Sequence, residues 1–83
     1  MDIAQRLSTI QQEIQTVENE KLQREQMLGL LWEHPPALDP ERVGEFMQRI
    51  RDQIFALEER KRALLQEEQA LIVQAVTHER RGD

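Results

Sequence analysis

The chain has 83 residues, of which 39% are hydrophobic, 33% charged and only 4% aromatic, and it contains no cysteine. That inventory excludes a disulfide scaffold, a thiolate zinc module and thiol catalysis, and it supplies little aromatic area for a single small core. A net charge of −5 repels phosphate backbones and anionic lipid, so nucleic acid and membrane surfaces are disfavoured partners.

From the first residues onward, Ile3, Leu7, Ile10, Ile14 and Val17 recur at alternating steps of four and three. Lys21 and Arg24 take the next two places, and Leu28 and Leu31 resume the stripe. This spacing predicts one helix over 2–33 that lays a single face along a partner. His34-Pro35-Pro36 then ends it, because proline removes an amide donor and pushes the residue before it out of the helical region.

The predicted turn spans 34–39. Asp39 can cap the next helix, Pro40 suits its first position, and Glu41 favours the positive end of the dipole. Leu38 and Val43 have the spacing of a hydrophobic staple. The second stripe is Val43, Met47, Ile50, Ile54, Leu57, Lys61, Leu64, Glu68, Leu71, Ala75 and His78, which predicts a helix over 40–80. Arg80, Arg81 and Gly82 form its stop signal.

So short a connection makes the two helices antiparallel neighbours. Folding about Ala37 sets Leu28 near Phe46, Val17 near Leu57, Ile10 near Leu64 and Ile3 near Leu71. The expected architecture is therefore all-α: one helical-hairpin domain over 1–83, coiled-coil-like, which dimerises into a four-helix bundle. A chain of this size buries only about 60% of its unfolded surface, so self-association is expected. The seam expected to serve it comprises Ile3, Leu7, Ile10, Ile14, Val17, Ile50, Ile54, Leu57, Leu64 and Leu71. Leu65, Ile72, Val73 and Val76 widen the apolar face at the open end. In the charged middle, Glu20 with Arg24, Glu45 with Arg49 and Glu58 with Arg62 have the i,i+4 spacing of supporting pairs. Lys21, Arg24, Lys61 and Glu68 interrupt the seam, where polar residues can fix register.

Reactive groups are few. The chain has no Tyr, a single Ser at position 8, and two His at 34 and 78 without a metal-ligand spacing. No metal, cofactor or small-molecule substrate is expected. The run Ile50-Arg51-Asp52-Gln53-Ile54-Phe55-Ala56-Leu57-Glu58, followed by Leu64-Leu65, resembles the first helix of the all-helical chorismate mutases. That resemblance implies a carboxylate-contacting role for Arg51. The family's second Arg falls on Glu68 and its downstream Lys has no counterpart, so an enzyme is not expected. Arg81-Gly82-Asp83 is the integrin-type tripeptide, read here as coincidence at a chain end. Arg60-Lys61-Arg62 is diluted by Glu58, Glu59, Glu67 and Glu68.

The expected function is non-enzymatic protein binding, by a small cytoplasmic adaptor, regulator or chaperone that is acidic like many secretion chaperones. Its partners are itself, as a homodimer, and another protein. Met27, Leu30, Trp32, Leu38, Phe46 and Phe55 are the partner-binding candidates, because a desolvated Trp often dominates an interface. Leu30, Leu31, Trp32, Pro35, Pro36, Leu38, Phe46 and Met47, gathered near the turn, could instead plug the end of the bundle. Secretion-needle subunits resemble the chain in length and in having a helix, a Pro-containing turn and a longer second helix, which makes a filament subunit one alternative. A dimeric RNA-binding hairpin, an architecture shared with small plasmid-type proteins, is the other.

Overall fold

The computed structural model describes residues 2–81, and the side chains of 2–77. Two helices and no strand make up the described residues: α1, Ile3–Glu33, and α2, Pro40–Arg81. They lie antiparallel as a hairpin measuring 67 × 19 × 15 Å. The length is set by α2, whose 42 residues rise about 63 Å at about 1.5 Å each.

The ends form where side chains satisfy the free backbone groups. Asp2 is the N-cap of α1, its carboxylate accepting from the Gln5 amide at 2.7 Å. His34 closes α1, its amide donating to the Leu30 carbonyl at 2.8 Å before Pro35 and Pro36 forbid continuation. Within the turn the Leu38 amide reaches the Pro36 carbonyl at 2.8 Å. Asp39 then caps α2: its carboxylate accepts from the Glu41 amide at 3.2 Å and its carbonyl from the Val43 amide at 3.1 Å. The expected Leu38–Val43 staple does not seal this corner, since Leu38 stays 62% exposed. The tight Pro36–Leu38 turn already fixes the entry of the chain. The stop signal at Arg80 to Gly82 and the seam side chain of His78 lie outside the described residues and side chains.

Every stripe position from Ile3 to Leu31 and from Val43 to Ala75 is buried or half-buried. The centre of the seam is Ile10, Val17 and Leu64, with Ile14, Leu57 and Leu71 packed against them. The expected neighbours Ile10 with Leu64 and Val17 with Leu57 thus fall in one cluster. Nearer the turn the expectation for Phe46 fails: Met47 is 8% exposed and Phe46 is 44% exposed. Phe46 precedes the Val43, Met47, Ile50 stripe by one residue, which turns it about 100° away from the seam.

Ile10 is fully enclosed, so truncating it leaves a void on the only interface the two helices share. Ile10→Ala is expected to cost about 2–4 kcal/mol in urea unfolding followed by helical circular dichroism. Gln12→Ala, at an exposed position, should change stability by less than about 0.5 kcal/mol.

Candidate interaction surface

In an antiparallel pair, each flank of the seam is lined by one side of α1 and one side of α2. Contacts between the helices identify which residues share each flank. On one, Arg6 pairs with Glu67, and Arg60 with Glu13 at 3.4 Å. Arg24 Nε also donates to Gln53 Oε1 at 2.8 Å. On the other, Lys21 pairs with Glu58 at 3.3 Å and Lys61 with Glu18 at 2.7 Å, while the Arg51 guanidinium lies 6.0 Å from the Trp32 ring centroid. These are called the Arg6 flank and the Trp32 flank.

Lys21 and Lys61 occupy stripe positions on opposite helices, and each reaches a glutamate on the helix it faces. Their stems cover the seam while their ammonium groups stay at its edge, which is how a long cationic side chain spans an apolar stripe. Each pair is partly exposed and contributes about 0.2–1 kcal/mol. Their larger effect is on register, since sliding one helix separates both pairs together.

The expected i,i+4 pairs Glu20–Arg24, Glu45–Arg49 and Glu58–Arg62 are not among the ion pairs of the described residues. Glu58 turns to Lys21, Arg24 to Gln53, and Arg62 pairs with Glu59 at 3.0 Å. A stripe cation already near the opposite helix meets a partner there without leaving its rotamer, whereas an i,i+4 pair must extend along the solvated face. The bond from Glu67, followed by its charge, raises the Arg6 pKa above its ordinary value. The raised value favours the folded pair below the usual guanidinium range and that contribution fades as pH rises above it.

The exposed apolar residues divide unequally between the flanks. Helical spacing places Leu22 and Trp32 of α1, with Phe55, Leu65, Ile72 and Val76 of α2, on the Trp32 flank, all of them exposed. Trp32 and Phe55 are 64% and 63% exposed. On the Arg6 flank the same spacing places Met27, Leu30 and Phe46, all near the turn. Open polar troughs follow both flanks: Thr9, Gln12, Glu13, Thr16, Glu20 and Arg60 line one on the Arg6 side, and Gln15, Glu18, Asn19, Lys21, Glu25 and Lys61 line one on the Trp32 side.

The partner-binding candidates are therefore not one patch: Trp32 and Phe55 share a flank, Met27, Leu30 and Phe46 sit on the opposite one, and Leu38 is exposed in the turn. The ten expected self-association residues all lie on the stripes shared by α1 and α2 of one chain. Of the groups near the turn, Met47 is buried and Leu31 and Pro36 are half-buried in the single hairpin, while Leu30, Trp32, Leu38 and Phe46 are exposed. Leu65, Ile72 and Val76, which widen the apolar face in the sequence, lie exposed on the same flank as Trp32 and Phe55. Their i, i+7, i+11 spacing was the available signal.

Arg51 stands over Trp32 and Glu68 lies half-buried in the seam, so the two positions singled out by the mutase resemblance have packing roles here. Among the described residues no three His, Asp or Glu side chains gather as metal ligands, and no helix is long and apolar enough to cross a membrane. Comparison with protein-family models, curated proteins and solved structures finds no match.

Because the two lysines set register more than stability, replacing both with apolar residues should separate those effects. Lys21→Leu with Lys61→Leu is expected to raise the urea midpoint by an amount equivalent to about 1 kcal/mol and to yield more than one species in sedimentation velocity. A lower midpoint would show that the crossed pairs contribute more than the apolar contact that replaces them.

Proposed function

We propose that this chain is a non-enzymatic protein-binding hairpin that self-associates as a four-helix bundle and presents the remaining apolar surface, around Trp32, to another protein. The observation that carries this reading is the asymmetry of the exposed surface: ion pairs lie on both flanks, but the larger share of the exposed apolar groups follows the Trp32 flank. An apolar strip of this kind is a recurrent mark of a protein interface. The hairpin's seam is narrow, and a second pair of helices against the strip completes the coverage that one seam leaves undone.

Trp32 has the character of an anchor. It lies at the turn end of the strip, exposed, with one ring face taken by Arg51. Aromatic side chains at the centre of a desolvated contact often dominate its affinity. Adaptor, regulator and chaperone are all roles that such a contact serves.

Sedimentation equilibrium on the full chain is expected to return twice the 9.8 kDa chain mass. Trp32 fluorescence should remain quenchable by acrylamide in that dimer and become protected when a partner binds. Growth without limit as concentration rises would support a filament subunit instead. Steep salt-dependent binding to RNA would support nucleic-acid recognition. A chain that stays monomeric at millimolar concentration overturns the reading.

A further inference from the structure

A twofold interface brings the same patch of both copies together, so residue i of one meets residue j of the other, and j meets i. Only a patch complementary to its own reversal can form one. Along the Trp32 flank of α2, Phe55, Glu58, Arg62 and Leu65 follow one another at steps of three, four and three. The order is apolar, acid, base, apolar, and it reads as a complementary palindrome about residue 60.

We propose that a second copy of this chain docks on this flank, α2 antiparallel to α2, about a twofold axis near residue 60. Phe55 then packs against Leu65 of the second copy and Glu58 meets its Arg62, each contact occurring twice. The docking rests on the self-association proposed above and specifies its face, direction and register. Phe55 and Leu65 are exposed in the hairpin, as is Arg62, which pairs among the described residues with Glu59 of its own helix. Glu58 is half-exposed beside Lys21. Each of these groups is accessible for the contact.

Register is selected by charge and by shape. Residue 60 is the midpoint of α2, Pro40–Arg81, so this axis overlaps two 67 Å rods along their full length. The same register sets Val76 over Gly44 of the second copy, where nothing lies within 4 Å of the place a Cβ would occupy. Sliding by one heptad in one direction sets Arg51 opposite Arg62. Sliding the other way sets Arg62 opposite Leu65 and Glu58 opposite Gln69, which loses both ion pairs. On α1, the open half of the flank carries Ala4, Ser8, Gln11 and Gln15, none of them charged, so no like charges meet there.

The area agrees with a second copy as the occupant. The chain exposes 6672 Å², whereas a compact monomer of its mass exposes about 5,200 Å². An excess of about 1,500 Å² on each chain matches the interfaces of obligate dimers, which bury about 2,000–5,000 Å² in total.

The test uses two full-length variants, Glu58→Arg and Arg62→Glu, separately and mixed. Alone, each sets like charges opposite one another, and its dimer dissociation constant in sedimentation should rise at least about tenfold. Mixed, they restore opposite charges at both contacts and should recover the wild-type constant as a heterodimer. In parallel, oxidising a mixture of Phe55→Cys and Leu65→Cys chains should give the mixed disulfide in preference to either homodimer. Monomeric wild-type chain overturns self-association and this docking together. A wild-type dimer whose charge variants do not rescue each other, or whose cysteine variants crosslink only with themselves, overturns the docking and leaves self-association standing.

Discussion

Everything in this molecule follows from the limit that two helices share only one seam. A single stripe on each helix is enclosed, and the rest of each circumference stays in water. The buried parts of that seam are the Ile10, Val17 and Leu64 cluster and, nearer the turn, Ile50 and Met47. The cluster lies well away from the turn, so the hairpin is held at its open half as well as by the connection. Without that cluster the turn would join two helices but not keep them together, since isolated helices gain most of their stability from packing.

The polar interruptions of the seam are arranged rather than scattered. Lys21 and Lys61 stand on opposite helices and cross to Glu58 and Glu18, so the middle of the rod is laced on the Trp32 flank by ion pairs. Arg6–Glu67 and Arg60–Glu13 lace the other flank over the open half. What differs between the flanks is the number of exposed apolar groups: Met27, Leu30 and Phe46 on the Arg6 side, and Leu22, Trp32, Phe55, Leu65, Ile72 and Val76 on the Trp32 side. An acidic chain with few aromatics has placed its Trp and one of its two Phe on that same side. The functional proposal comes from this imbalance and owes nothing to reactive groups.

The stripes, the Pro35–Pro36 stop and the Asp39 cap were legible in the sequence, because periodicity, proline geometry and capping act within a few residues of one another. The fate of the charges was not. Glu20–Arg24 and Glu58–Arg62 had helical spacing, yet Arg24 and Glu58 found partners across the seam and Arg62 found Glu59, which depends on how side chains from two helices interleave. Phe46 was misplaced because folding about Ala37 pairs residues by level along the rod and ignores their angle around it. The interaction surface was legible only as composition: Trp32, Phe55 and Val76 are apolar in any reading. Sorting them onto one flank required knowing that Glu18 meets Lys61 on the same side as Trp32 meets Arg51.

Small-angle scattering on the full chain tests the central claim, that the hairpin is completed sideways by a second copy. Side-by-side docking along the full length predicts twice the chain mass in a particle whose longest dimension stays close to the 67 Å of one hairpin, with only its cross-section enlarged. A particle of twice the mass and nearly twice the length, or one of a single chain's mass, would contradict it.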